Sequence, residues 1–282
     1  MKKSIAIVGS GVSGLTAAIY LSRFGHSVDV YSGYSLGSLA TTPMVENFPG
    51  FPSGISGEEL LGRMAEQAEK FGANIIESAV DSVKLDKEDC PIIIDDVGND
   101  KKYDAIVFAT GSTHKKLDFE GSDSQHVHYC ATCDGDFYRN KIVAVIGGGD
   151  TAFTEALYLS NICSHVYLIH RRDTFRAADV LVQKAKEDPK IEIITNSVVK
   201  EFDNETIVIE SDVEIAGMTC NGVFIAIGSS NNNELFANLN NVLSIRRCGD
   251  CFEAETSMHQ AIIAAGDGAK TAIKLNEWLL KN

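Results

Sequence analysis

Short, unbroken apolar runs that end in glycine set the pattern of this chain. Ile5-Ala6-Ile7-Val8 opens into Gly9-Ser10-Gly11-Val12-Ser13-Gly14. A helical stretch follows from Leu15 to Phe24, stopped by Gly25, and then a second run at Val28-Asp29-Val30-Tyr31. A continuous apolar run predicts a strand covered on both faces. Strand, glycine loop, helix and strand together form the context in which GxGxxG signals dinucleotide binding. The glycines permit a tight turn and close backbone approach, and the helix N-terminus then faces a pyrophosphate. The acid that often ends the second strand is missing, because the chain reads Tyr31-Ser32-Gly33 there. Asp29 stands too early to bind a ribose hydroxyl.

A polar loop punctuated by glycine and proline covers residues 36–52. A helix then starts at the capping pair Ser56 and Glu59 and ends at Gly72. Short β segments near 75–77, 80–85, 91–95 and 103–108 predict a small meander within a doubly wound sheet, and the last delivers the turn Ala109-Thr110-Gly111. Polar residues 112–125 form a connection. Ile142-Val143-Ala144-Val145-Ile146 then begins a second copy of the opening. Sliding Gly9 onto Gly147 also aligns Gly11 with Gly149, Thr16 with Thr154, and Tyr20-Leu21-Ser22 with Tyr158-Leu159-Ser160. Any two Rossmann starts share glycines, but Tyr-Leu-Ser favours an internal duplication. The second copy differs where its ligand would differ: its second strand ends in His170-Arg171-Arg172, with Arg176 beyond. Guanidinium groups at this offset suit a ribose 2′-phosphate, which points to NADPH rather than NADH. The alternative is a solvated basic patch. Beyond Pro189 the chain is again β-rich. Gly222 to Gly228 echoes the Ala-Thr-Gly turn, residues 231–241 read as a second connector, and a last helix is expected over 258–280.

The 282 residues are 44 % hydrophobic and carry a net charge of −14, enough for one large or two ordinary domains. The acidic balance excludes nucleic acid and anionic membranes as natural partners. No apolar run has the length of a membrane span and no signal peptide is evident, so a cytoplasmic protein is expected. Seven cysteines, at 90, 130, 133, 163, 220, 248 and 251, are an odd number that argues against a secreted disulfide framework. Cys130-Ala131-Thr132-Cys133 is followed at once by Asp134, and a dithiol between two nucleotide loops suggests electrons passing from a dinucleotide to a disulfide. With Cys248-Gly249-Asp250-Cys251 it could instead form a four-thiolate zinc site. The second pair reads more simply as small apolar residues than as a second redox pair. No histidine spacing suggests a metal, and His128 reads as structural.

Six motifs in order carry a resemblance over essentially the whole chain. They are Gly9 to Gly14, Val45-Glu46-Asn47-Phe48-Pro49-Gly50, Cys130 to Gly135, Gly147-Gly148-Gly149-Asp150-Thr151-Ala152, His170 to Ala177, and Gly249-Asp250 with Gln260-Ala261. Together they resemble the low-molecular-weight thioredoxin reductases. The resemblance implies an α/β fold of two Rossmann-like, three-layer domains, each with a small β-meander. The second would be inserted into the first: residues 1–113 and 243–282 would bind FAD, and 114–242 would bind NADPH and carry the dithiol. Expected FAD contacts are Gly9, Ser10, Gly11, Ser13, Gly14, Ser38, Thr41, Thr42, Asn47, Thr110, Gly111, Asp250, Gln260 and Ala261. Expected NADPH contacts are Gly147, Gly149, Asp150, Thr151, His170, Arg171, Arg172, Arg176 and Gly228.

The resemblance further implies that Cys133 faces the flavin, Cys130 exchanges with thioredoxin, and Asp134 is the general acid. It implies a homodimer and a rotating NADPH domain, with hinges expected near 112–117 and 241–246. The chain departs from the family pattern at Ser38, at Ser229 and Asn231, and at Met258-His259. The expected activity is electron transfer from NADPH through FAD and the Cys130–Cys133 disulfide to thioredoxin. Another thioredoxin-like or small disulfide acceptor, or a non-catalytic redox-sensing module, are the alternatives.

Overall fold

The computed structural model describes residues 1–34, 37–42, 44–211, 213–239, 242–251 and 260–282. Two compact units emerge, one formed by Met1–Thr113 with Asn231–Asn282 and the other by His114–Ser230. The chain runs through β1 (Ser4–Val8), α1 (Val12–Arg23), β2 (Ser27–Tyr31), α2 (Gly57–Lys70), β3 (Asn74–Ile76), β4 (Val80–Leu85), β5 (Pro91–Asp95), β6 (Asp100–Lys102), β7 (Ala105–Phe108) and β8 (Ser112–His114). It continues with β9 (Val127–His128), α3 (Ala131–Asp134), β10 (Ile142–Ile146), α4 (Asp150–Ser160), β11 (His165–Ile169), α5 (Asp179–Glu187) and β12 (Ile191–Ile194). Then come β13 (Ser197–Phe202), β14 (Thr206–Ser211), β15 (Ile215–Thr219), β16 (Gly222–Ile225), β17 (Ser229–Asn231), β18 (Ile245–Arg247) and α6 (Ala261–Leu279).

The first unit is built on a parallel sheet of order β18-β7-β1-β2-β3. Its strands are apolar at nearly every position because both faces are covered. On one face Ile5, Ile7, Val28 and Val30 pack against Ala17, Ala18 and Leu21 of α1 and Ala272 and Leu275 of α6. On the other, Ala6, Val8, Ile106 and Phe108 meet Ile93 and Tyr103 of the antiparallel meander β4-β5-β6. Phe236 joins that second face, with Leu235, Leu239 and Val242 around it. Residues 231–239 therefore pack with the first unit, and the chain returns to it at Ser230–Asn231, ahead of the boundary at 243 drawn from the sequence. The stretch expected as a hinge near 241–246 leads into β18, whose Ile245 is buried beside β7. The last helix starts at Ala261; the expected start at 258 lies outside the described residues.

Asp29 is occupied by its own unit. Its carboxylate accepts hydrogen bonds from Lys101 Nζ (2.6 Å), Tyr103 Oη (2.8 Å) and Asn74 Nδ2 (3.0 Å), fastening the sheet to the meander. Burial raises the Asp29 pKa, but these donors outweigh burial and leave it below the ordinary 3.8. A depressed carboxyl contributes stability that is present above its unfolded pKa and lost as pH falls through the lower, folded value. Asp29→Ala is expected to cost about 1–3 kcal/mol at neutral pH, because it takes the acceptor from the buried Tyr103 hydroxyl and the partner from the exposed Lys101. The gap from wild type in urea midpoints should close as the pH falls below that range.

The second unit repeats the plan. Its parallel sheet has the order β12-β11-β10-β16-β9, with a separate antiparallel meander β13-β14-β15. Val143, Val145 and Phe224 pack against Phe153, Ala156 and Leu159 of α4. Ala144, Ile146 and Ile225 face Phe202, Ile207 and Ile209 of the meander.

Candidate active site

In each sheet, one strand carries the glycine loop and the chain order diverges to either side of it. This is the switch point, where parallel α/β sheets open a crevice beyond their carboxyl ends. In the first unit, β1 delivers Gly9 to Gly11, its neighbour β7 delivers Thr110 and Gly111, and β18 delivers Gly249 and Asp250. The glycines there have distinct reasons. A Cβ on Gly9, which has φ +109°, would lie 2.3 Å from the Ala109 carbonyl oxygen, and one on Gly14 would lie 2.0 Å from the Gly9 oxygen. A Cβ on Gly11 would meet nothing within 4 Å. Gly11 is the N-cap of α1, which has no side-chain cap and no acid in its first turn. That leaves room and free N–H donors for a pyrophosphate.

The other expected flavin contacts cluster around this edge. Ser38 Oγ donates to the Ser112 carbonyl (3.3 Å), and Ser112 Oγ lies 3.5 Å from Asp250 Oδ2. Thr110 and Gly111 are braced by Asn232, which donates from its amide to the Thr110 carbonyl (2.9 Å) and from its backbone to Gly111 (3.0 Å). Asn47 Nδ2 donates to Gln260 Oε1 (3.0 Å) just before α6. The Thr42 carbonyl accepts from Gly57 at 2.9 Å. Val12 and Leu15 of α1 pack with Val45 and with Ala261, so the loop after residue 38 and the start of α6 converge on the glycine loop. Ser13 is buried beneath Gly249. The Thr41 side chain and Met258-His259 lie outside the description.

The second unit places three features on one sheet edge. Gly147 to Gly149 follow β10, His170 to Arg172 follow β11, and Ala226 to Gly228 follow β16. Gly149 is open, like Gly11, and caps α4 without a side chain. A Cβ on Gly148 would lie 2.2 Å from the His170 ring, which explains the middle glycine of the three. The arginine loop is tied to the glycine loop by Arg176 N donating to Gly148 O (2.8 Å) and Ala178 N donating to Asp150 Oδ1 (2.7 Å). Arg171, Arg172 and Arg176 are exposed, and none is paired with a carboxylate among the described residues. Burial pushes the His170 pKa down, and the three guanidinium charges add to this. Thr151 is exposed at the start of α4.

The dithiol shares this edge, which the sequence does not reveal. The two-residue strand β9 pairs in parallel with β16, and Tyr129-Cys130 continue from its carboxyl end. Cys130 and Cys133 are joined as a disulfide across the turn of α3, with Cα atoms 5.3 Å apart. The N–H groups of Cys133 and Asp134 both donate to the Cys130 carbonyl at 3.2 Å. Bonded to each other, these two sulfurs are not thiolates available to a metal. Cys248 and Cys251 are buried free thiols, Cys251 donating to the Cys248 carbonyl (3.3 Å).

Two polar groups around the dithiol escape sequence reading. Asp134 Oδ2 lies 3.1 Å from His128 Nδ1, so His128 is a partner of the candidate acid. Beneath the loop, Glu155 Oε1 accepts from Ala131 N at 3.3 Å, while its buried Oε2 has no hydrogen-bond partner among the described residues. Burial pushes Glu155 up to about 7, with the charge of Asp134 adding to it. No periodicity links residues 131 and 155; only the packing of α3 on α4 joins them.

Two nucleotide-type crevices and a dithiol with an adjacent carboxyl define a nucleotide-dependent oxidoreductase that works on disulfides. The family profile described as "Pyridine nucleotide-disulphide oxidoreductase" matches residues 3–277. A thioredoxin reductase of Spironucleus barkhanus is 40 % identical, over 99 % of this chain and 99 % of its own. One from Streptomyces coelicolor is 35 % identical over 98 % and 94 %. The solved thioredoxin reductase from Giardia duodenalis superposes with a TM-score of 0.92 at 30 % identity, covering 99 % of this chain and 100 % of that one. The chain belongs to the pyridine nucleotide-disulphide oxidoreductase family, within its low-molecular-weight thioredoxin reductase group. It is an oxidoreductase acting on a sulfur group and uses a flavin and a nicotinamide nucleotide. No described helix is long and apolar enough to cross a membrane.

Proposed function

We propose that this enzyme takes electrons from NADPH, through FAD, to the Cys130–Cys133 disulfide, and that thioredoxin is the protein that receives them. The observation that carries this reading is the placement of the dithiol, the open glycine loop and the arginine cluster on one carboxyl edge of the second sheet. Gly11, Thr110, Gly111, Asp250, Asn47 and Gln260 would hold FAD in the first unit. Gly149, Thr151, Arg171, Arg172 and Arg176 would hold NADPH in the second. The bound flavin supplies the exchange between hydride and electron-pair chemistry that a nicotinamide cannot perform directly on sulfur.

The chain's own residues do the rest. Cys133 would be the sulfur that takes the electron pair from the bound flavin, and Cys130 the one that attacks the acceptor. When the Cys130 thiolate bonds to one acceptor sulfur, the other leaves with the electron pair and takes a proton, which on this reading Asp134 gives. Cys133 then attacks Cys130, releases the second acceptor thiol and restores the disulfide. On this reading the enzyme works as a cytoplasmic homodimer. An anaerobic NADPH titration followed by oxidised thioredoxin tests it: the yellow protein should bleach and then regain its colour. A colourless protein, or one that stays bleached, overturns it.

A further inference from the structure

Asp134 stands at the inner end of a continuous hydrogen-bonded chain that leads away from the dithiol. His128 Nδ1 is 3.1 Å from Asp134 Oδ2, His128 Nε2 is 2.6 Å from Tyr138 Oη, and Tyr138 Oη is 3.0 Å from His126 Nδ1. The inner members are enclosed. The His128 side chain is 10 % exposed, stacked on Phe224 with ring centroids 5.2 Å apart, and Tyr138 is 3 % exposed. The fold makes room for this tyrosine, because a Cβ on Gly222 would lie 2.3 Å from its ring. The outer end is open: His126 is half-buried, with its Nε2 beside the exposed Gln125 amide.

We propose that His126, Tyr138 and His128 form a proton relay that recharges Asp134 from solvent between the two thiol-releasing steps. The proposal rests on the disulfide-reductase reading above. One turnover with a nicotinamide donor delivers one hydride, two electrons with one proton, yet yields two thiols; the second proton comes from solvent. In the relay, Asp134 gives its proton to a departing thiolate and takes one from His128 Nδ1. His128 Nε2 takes the phenolic proton, the phenol takes that of His126 Nδ1, and His126 Nε2 takes one from hydronium or a buffer acid in solvent. Both imidazoles change tautomer, all three relay groups end neutral, and the only net change is one proton on Asp134. Burial, reinforced by the charges of Asp134 and Cys220, raises the Tyr138 phenol well above its ordinary range. It therefore passes a proton only as it receives one. Glu155 is the other carboxyl facing Asp134, and it reaches Ala131 rather than the relay.

The discriminating variable is the leaving thiol. A thiolate of low pKa departs without a proton, whereas an alkyl thiolate departs far better with one. Holoenzyme carrying the reduced dithiol is mixed anaerobically, in single turnover, with 5,5′-dithiobis(2-nitrobenzoate) or with bis(2-hydroxyethyl) disulfide, and released thiol is followed by rapid quench. Tyr138→Phe keeps the packed ring and removes only the bridging oxygen, and His126→Leu breaks the outer end without touching Asp134 or His128. Each should slow thiol release from the alkyl disulfide by ~10-fold or more and leave the aromatic disulfide at the wild-type rate. Imidazole buffer should restore the alkyl rate in both variants and leave wild type unchanged. Wild-type alkyl rates in both variants, or equal slowing with both disulfides without rescue, would overturn the relay. Failure of wild type to reduce either disulfide would instead overturn the disulfide-reductase reading itself.

Discussion

Cys130→Ser is expected to lower turnover with thioredoxin by on the order of 10³-fold or more, while NADPH still bleaches the flavin. A serine hydroxyl is not ionised near neutral pH and cannot form the mixed disulfide through which exchange proceeds. Cys133 alone has no partner with which to close a disulfide and release the acceptor, and the five other cysteines cannot stand in. Cys163 and Cys220 are buried, and burial pushes their thiols up to about 11 and about 12. At neutral pH a thiol at 11 is ionised in about one molecule in 10⁴. Cys248 and Cys251 are shifted upward by burial as well, and their sulfurs lie behind β7 and β18 in the first unit. Cys90, half-buried after β4, is bonded within its own turn. Stopped-flow flavin reduction and steady-state thioredoxin reduction, measured on one preparation, separate the two outcomes. Full thioredoxin reduction by the serine variant would remove Cys130 from the mechanism.

The features legible in the sequence are those set by residues close together in the chain. Two strand–glycine–helix units, the Cys-x-x-Cys with its following acid, and the arginines after the second strand are local patterns. Their steric causes are local too, as at Gly9 and Gly14, where a Cβ would strike a backbone oxygen. The capping pair was likewise legible, Ser56 Oγ accepting from Glu59 N at 3.1 Å. What stayed hidden depends on the order of strands within a sheet. β9 is only two residues long, too short for a periodicity, yet its pairing with β16 carries the dithiol to the edge that holds the glycine loop. The same pairing sets His128 over Phe224 and beside Tyr138, ten residues away in sequence. Asp29 shows the converse. Its position excluded a ribose role, but only the meander, folded back over the sheet, reveals that Lys101, Tyr103 and Asn74 claim its carboxylate.

Replacing Arg171 and Arg172 together by glutamine is expected to raise KM for NADPH on the order of 100-fold and to leave KM for NADH nearly unchanged. The geometry sets this size. Both guanidinium groups are exposed, so salt screens them, and each charge-assisted bond to a phosphate oxygen contributes about 1.5 kcal/mol, the lower end of its range. Arg176 remains in the double variant, held by its backbone bond to Gly148, and keeps part of the preference. His170 does not supply the missing charge. Burial and the neighbouring arginines hold its pKa below the usual 6.5, and its Nε2 is within 3.1 Å of the Thr174 carbonyl. Imidazole protonation therefore does not strengthen NADPH binding near neutral pH. The preference should instead grow as pH rises through about 6, where a phosphate monoester gains its second charge. Steady-state KM values for both nucleotides, measured from pH 5.5 to 8 at low and high salt, decide the matter. An equal rise in both KM values, or no change in their ratio, would return the three arginines to a solvated basic patch.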